Sequence, residues 1–115
     1  MATLTEARRT GEFIISEANG TRSREVVTIA AAAGAMVAGT VLSKLDADGK
    51  YVEYDNAGTD GTQTAAAILY AAVGNAAADQ TAVVIVRDAE VDEALLTGID
   101  AGGKVDLAAV GIIVR

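Results

Sequence analysis

The sequence predicts a mainly β protein, one small domain with one or two short helices, and three observations carry that prediction. Asp48-Gly49 stands between Val41-Leu42 and Tyr51-Val52, and an Asp-Gly pair flanked by apolar residues is a strong hairpin signal. Val83-Val84-Ile85-Val86 is a β-branched run with the character of a strand buried on both faces. Turn residues at Asn19-Gly20, Asn56-Ala57-Gly58 and Asp60-Gly61 cut the chain into short apolar stretches. At 115 residues the chain fits a single domain. A domain of that size buries ~60–70% of its unfolded surface.

Residues 1–10 are polar and mixed in charge. They lack the basic-then-apolar layout of a signal peptide and are expected to be disordered in isolation. Residues 11–24 hold an apolar knot, Phe13-Ile14-Ile15, too short to form a core alone. It reads either as an edge strand folded onto its own domain or as an arm that adds a strand to a partner's sheet. Residues 26–42 are uncharged for seventeen positions, the short limit for a membrane span, but alanine, glycine and threonine make them only weakly apolar. Gly34 and Gly39 are also off the GxxxG spacing. The expectation is a strand through Val27 and Ile29, a bend over residues 30–34, and a second strand over residues 36–42.

Asp46, Asp48 and Gly49 invite a calcium loop, yet glycine falls at position four and alanine at position twelve, so a hairpin turn is expected. The loop from Gly58 to Thr62 has no GK[ST] after it and is no phosphate cradle. Residues 65–73 are expected as a strand. Residues 91–97 are expected as one or two helical turns, with Asp92 and Glu93 at the positive end and Gly98 as the stop. A short helix is expected over residues 105–110, with Val105, Ala108 and Ala109 on one face and Gly111 ending it. Ile112-Ile113-Val114 closes the chain as a strand.

Composition narrows the function classes. There is no Cys and no His, which removes disulfides, thiolate sites, the commonest general base and the commonest metal ligand. The apolar share is 51% but aromatics are 3%, and an alanine-rich core buries little area per residue, which favours sharing a core with other subunits. Net charge is −7, all of it carried by residues 26–115, while within residues 1–25 Arg8, Arg9, Arg22 and Arg24 balance Glu6, Glu12, Glu17 and Glu25. An acidic body repels phosphate backbones, so no nucleic-acid partner is expected, and no membrane partner. Ser16, Ser23 and Ser43 have no histidine to activate them, and nothing marks Lys44 or Lys50 as a base. The pairs Asp46/Asp48 and Asp92/Glu93 read as solvated turn and helix-start residues. No cofactor, metal site or enzymatic activity is expected.

Ala38-Gly39-Thr40-Val41-Leu42, Tyr54-Asp55, Asp60-Gly61, Ile68-Leu69, Ala78-Asp79-Gln80-Thr81 and the strand over residues 83–87 follow one another in a telling order. In that order the chain resembles phage head decoration proteins of the phage lambda type, over about residues 36–88. Residues 11–29 are similar to the arm of longer-armed members. The resemblance implies a β-clip-like small barrel with short helices and an extended N-terminal arm, divided as arm 1–25 and compact body 26–115. It implies a homotrimer cementing the outside of an expanded icosahedral head at local threefold sites, with the major capsid protein as partner. The location implied is the virion surface, after synthesis in the host cytoplasm. Carried over, the capsid contact falls on Phe13, Ile14, Ile15, Ser16 and Glu17, and on Thr21, Arg22, Ser23, Arg24, Glu25, Val26, Val27 and Thr28. Removing residues 1–24 is then expected to leave a folded trimer. Family members usually carry aromatics and prolines after the strand over residues 83–87, and this chain has neither there, so the trimer-packing residues do not carry over. The competing readings are another trimeric virion part, such as a spike or tail component, and a small ligand-binding β domain.

Overall fold

A computed structural model describes residues 9–20, 22–31 and 34–115. The chain order is β1 (Ile14–Glu17), β2 (Arg24–Ile29), β3 (Val41–Lys44), β4 (Tyr51–Glu53), β5 (Ala65–Leu69), β6 (Gln80–Ile85), β7 (Ala89–Val91), a 3-10 turn (Glu93–Leu95), α1 (Ala101–Ala109) and β8 (Ile112–Val114). Strands β2-β4-β3-β5-β6 close into a small barrel, and β1-β7-β8 form a separate three-stranded sheet. The mainly β expectation with a short helix holds.

The barrel grows from the predicted hairpin. Leu42, Ser43 and Lys44 pair with Glu53, Val52 and Tyr51. The turn between them closes with Leu45 N–H donating to Lys50 O (2.8 Å) and Gly49 N–H to Leu45 O (3.0 Å). Gly49 has φ +71°, a conformation that glycine adopts without steric cost. The acids here serve turns: Asp48 accepts from Lys50 N–H, Asp55 from Ala57 N–H and Asp60 from the Thr62 hydroxyl.

Burial on two faces explains the apolar runs. Successive strand residues point to opposite faces. In the central strands one face looks into the barrel and the other lies under the small sheet and α1. Leu42, Ala67, Leu69, Ala82 and Val84 thus join Ile29 and Met36 in the barrel interior. Val41, Ile68 and Ile85 join Phe13, Val91, Leu107 and Ile112 in a second core. The alanines have a use within one chain, because the interior of a five-stranded barrel admits few large side chains.

Several expectations are corrected. Residues 36–42 are not one strand: Met36 bridges only to Val73, and the chain turns at Gly39 before β3 begins at Val41. Gly39 sits at φ +92°, and a Cβ there would lie 2.5 Å from Leu95 O. The strand expected over residues 65–73 ends at Leu69. The carbonyl of the next residue, Tyr70, is taken by Gly11 N–H (2.9 Å). β7 has no counterpart in the expectations. The helix starts at Ala101, four residues before expected, because the Asp100 side chain accepts from Gly103 N–H (2.7 Å) and caps a first turn weakened by two glycines.

The largest difference concerns residues 9–25. From residue 9, apart from Thr21, this stretch is described, and it is folded onto the rest of the chain rather than extended. β1 runs antiparallel to β7. β2 is a barrel strand zipped along its full length to β6, from Arg24↔Ile85 to Ile29↔Gln80. Phe13, the chain's one phenylalanine, is 0% exposed in the second core. A chain this poor in aromatics cannot leave its largest apolar side chain outside without hollowing that core. Removing residues 1–24 would strip out Phe13 and β1, so the expected clean deletion is not available. The disorder expected for residues 1–10 falls mostly on residues outside the described set.

Candidate functional site

The residues assigned to the capsid contact are dispersed by the fold. Phe13 and Ser23 are fully buried. Ser23 donates its hydroxyl to Asp88 O (2.9 Å) and accepts from Ala18 N–H (3.0 Å), so it fastens the β1–β2 connection to the β6–β7 one. Ile14 is half-buried against the second core, pairs with Val91, and is not free to dock. Ser16 donates to Glu90 (2.8 Å) on the outer face of the small sheet, where Arg115 also grips Glu90 (2.6 Å). Thr21 lies outside the described residues. Ile15 is exposed at 52% and Val26 at 66%.

Val26 is the centre of a coherent surface. The β2–β6 register places Val26 opposite Val83 and Thr28 opposite Thr81 on the outside of the barrel, while Val27 and Ala82 face in. Tyr70, just past β5, lies beside them. Together Arg24, Glu25, Val26, Tyr70 and Val83 line a shallow groove of about 370 Å³. It continues over Ala71 and Ala72 as a trough of about 480 Å³.

The rim of this wall is charged and internally paired. The Arg24 guanidinium lies 4.2 Å from the Tyr70 ring centroid and is held by two hydrogen bonds to Glu17, of 2.5 and 3.2 Å. The hydrogen bond to Glu17 raises the Arg24 pKa above its ordinary value. Stacked and forked in this way, Arg24 is a fixed element of the wall. Beside it, Arg87 donates to Arg22 O (2.7 Å) and Glu25 (3.2 Å), and Arg22 lies 3.6 Å from Asp88.

The hydroxyl and amine considered as catalytic groups are held in hydrogen bonds within the chain. The Ser43 hydroxyl is buried and donates to Thr62 O (2.9 Å). A hydrogen bond to Asp79 (2.7 Å) raises the Lys50 pKa, the opposite of what a general base needs. Among the described residues no three acidic, His or Cys side chains gather where a metal ion could be held. None of their helices is long and apolar enough to cross a membrane.

Val26 was among the residues assigned to the capsid contact, and its neighbours Val83 and Tyr70 were not. The period of two along residues 26–29 points Val26 outward, whereas Val83 and Tyr70 emerge only once the β2–β6 register is known. A search of curated proteins finds no match to this chain. A family model described as Bacteriophage lambda head decoration protein D matches residues 3–112.

Proposed function

This chain belongs to the bacteriophage lambda head decoration protein D family, and from that membership we propose that it acts as a homotrimeric cement on the outside of an expanded phage head. The family is one of phage capsid decoration proteins, structural rather than enzymatic. In this reading the trimer binds the major capsid protein at local threefold sites and stiffens the shell. The capsid contact is carried by the outer barrel wall around Val26, with Arg22 and Glu25 on its rim and Ile15 on β1 as an accessory contact. Phe13 and Ser23 take no part, since both are interior.

The observation that supports this reading is Val26 itself, a β-branched side chain 66% exposed in a groove floored by Val83 and Tyr70. Scattered exposed apolar residues are ordinary, but an apolar centre inside a polar rim marks an interaction surface. The test uses expanded heads that lack decoration, with bound protein measured by sedimentation. Val26→Asp should keep its oligomeric mass and melting temperature. Its Kd for heads should rise at least ~10-fold, because docking would bury an unpaired carboxylate. Heads saturated with the wild-type chain should survive heating that ruptures bare heads. Unchanged binding by Val26→Asp would remove the wall from the contact.

A further inference from the structure

Three asparagine or aspartate residues in this chain are followed by glycine: Asn19-Gly20, Asp48-Gly49 and Asp60-Gly61. Such a pair has its own chemistry, because a peptide nitrogen can attack the side-chain carbonyl carbon of the residue before it and close a five-membered imide. Glycine has no Cβ, so its backbone makes that approach with the least hindrance. The fold treats the three pairs differently.

At two of them the attacking nitrogen is occupied. Gly49 N–H donates to Leu45 O (3.0 Å), and Gly61 N–H to Gln63 Oε1 (2.9 Å). The group under attack is also poor, since an ionised carboxylate resists a nucleophile. Asp48 accepts from Lys50 N–H (3.1 Å), and the hydrogen bond from the Thr62 hydroxyl (2.7 Å) chiefly lowers the Asp60 pKa. Asn19-Gly20 lacks these restraints. Both residues are exposed, and the Gly20 N–H has no acceptor among the described residues. Gly20 stands at φ +68° with open space where a Cβ would be. The group under attack there is a neutral amide, which can leave as ammonia. The other two asparagines, Asn56 and Asn75, precede alanine, whose Cβ hinders the same approach.

We propose that Asn19-Gly20 is a site of spontaneous covalent modification, at which Asn19 passes through a cyclic imide to aspartate and isoaspartate. The Gly20 nitrogen gives its proton to solvent and bonds to Asn19 Cγ. The bond from Cγ to the side-chain nitrogen breaks, and ammonia leaves with a proton taken from solvent. Water then opens the ring. Attack at Cγ gives aspartate, and attack at the main-chain carbonyl carbon gives isoaspartate, with the backbone rerouted through Cβ and Cγ. The net change is one water in and one ammonia out. Either product carries a new carboxylate, so the chain passes from net charge −7 to −8.

The surroundings confine the change to the connection between β1 and β2. Its base is closed by Ala18 N–H donating to the Ser23 hydroxyl (3.0 Å) and by Arg24 holding Glu17. Arg22, on the same connection, faces Asp88, and its carbonyl accepts from Arg87. The new charge therefore joins the rim of the wall without unfastening a strand. This inference stands apart from the capsid reading, and neither depends on the other.

The experiment ages the full chain at mildly alkaline pH and follows it by peptide mass spectrometry and ion exchange. Trypsin cutting after Arg9 and Arg22 isolates residues 10–22 with Asn19, and cutting after Lys50 and Arg87 isolates residues 51–87 with Asn56 and Asn75. Asn19 should convert at least ~10-fold faster than either of the others, a barrier lower by ~1.4 kcal/mol. Its product should separate into two isomers, and each converted chain should elute with one more negative charge. Asn19→Gln, folded by circular dichroism, should stay in a single peak. Isoaspartate should stay absent at Asp48 and Asp60 in the folded chain and appear there in urea at mildly acidic pH, once the two glycine amides are released. Four results overturn the proposal: Asn19 ageing no faster than Asn75, a single aspartate product formed without the ring, an acidic peak that persists in Asn19→Gln, or isoaspartate at Asp48 or Asp60 of the folded chain as early as at Asn19.

Discussion

Phe13→Ala separates two roles for the first apolar residues of the chain. The ring is 0% exposed, packed with Val91, Leu96 and Ile112, and one ring carbon lies 3.6 Å from where a Cβ on Gly39 would stand. Its carbonyl is also fixed, accepting from Asp92 N–H at 2.8 Å, so the backbone cannot easily follow the shortened side chain inward. The loss of burial is worth ~1.5–3 kcal/mol. With the cavity term, the total for a buried Phe→Ala change is ~3–5 kcal/mol. Small domains have only ~5–15 kcal/mol of stability. The expected midpoint shift in melting is thus ~12–20 °C downward at ~4 °C per kcal/mol. Urea unfolding at fixed protomer concentration should show a lower midpoint with an unchanged slope. Ile15→Ala, on an exposed side chain, should stay within ~0.5 kcal/mol of wild type. A Phe13→Ala chain that loses under ~1 kcal/mol yet binds heads poorly would refute this placement. It would mean that Phe13 sits on a partner instead of in the core.

Gly39→Ala should destabilise by more than ~1 kcal/mol, since φ +92° and a Cβ 2.5 Å from Leu95 O leave no room for the methyl group; thermal melting reads this directly. Hydrogen bonds from Gly103, Lys50 and Ser16 chiefly lower the pKa values of Asp100, Asp79 and Glu90 respectively. Groups with lowered folded-state pKa values stabilise above their unfolded values of ~4 and lose that contribution as pH falls through the folded values. Urea midpoints should therefore hold from neutrality to about pH 4–5 and drop below it. Burial first, and then the hydrogen bond to Asp100, push the Tyr54 phenol up to about 12. Absorbance titration should accordingly show a late ionisation that is absent in Tyr54→Phe, with the stability Tyr54 carries lost between about pH 10 and 12. Melting curves with and without a chelator should coincide, because the acids at Asp46, Asp48 and Asp60 belong to turns.

Where a signal was local, the sequence carried it. Asp48-Gly49 specifies its hairpin from within ten residues, and the β-branched run reports double-sided burial where Val84 faces the barrel interior and Ile85 the second core, while Val83 lies on the outer wall. The spacing likewise groups Val105, Ala108 and Ala109 on one face of a helix, but that this face points outward was not legible, because an apolar face ordinarily reads as the one turned to the core. What the sequence did not disclose depends on distant pairing. Phe13 finds its place through β7, more than seventy residues away, and Ala89-Glu90-Val91 is too short to show a period of its own. An apolar knot in polar surroundings looks the same whether its cover is the chain itself or a partner. The start of α1 was hidden for another reason: Gly102 and Gly103 argue against a helix, and only the geometry at Asp100 shows the cap that overrides them.

A folded wall and a loose arm place different demands on a decoration protein. An arm ordered on docking costs ~1–2 kcal/mol for each residue fixed. Set against that, the burial of one valine contributes only ~1.5–3 kcal/mol. In this chain β1 is fixed by β7, and β2 by β6, before any partner arrives. The Glu17–Arg24–Tyr70 stack likewise sets the edge of the wall in advance. Docking at Val26 then draws little on chain entropy, and most of its contact energy is available as affinity. One such groove is still a weak site. On the proposed trimer, three of them would bind the shell as a unit, since after the first contact the others would face an effective concentration in the millimolar range. Firm attachment on this reading comes from joining three modest surfaces.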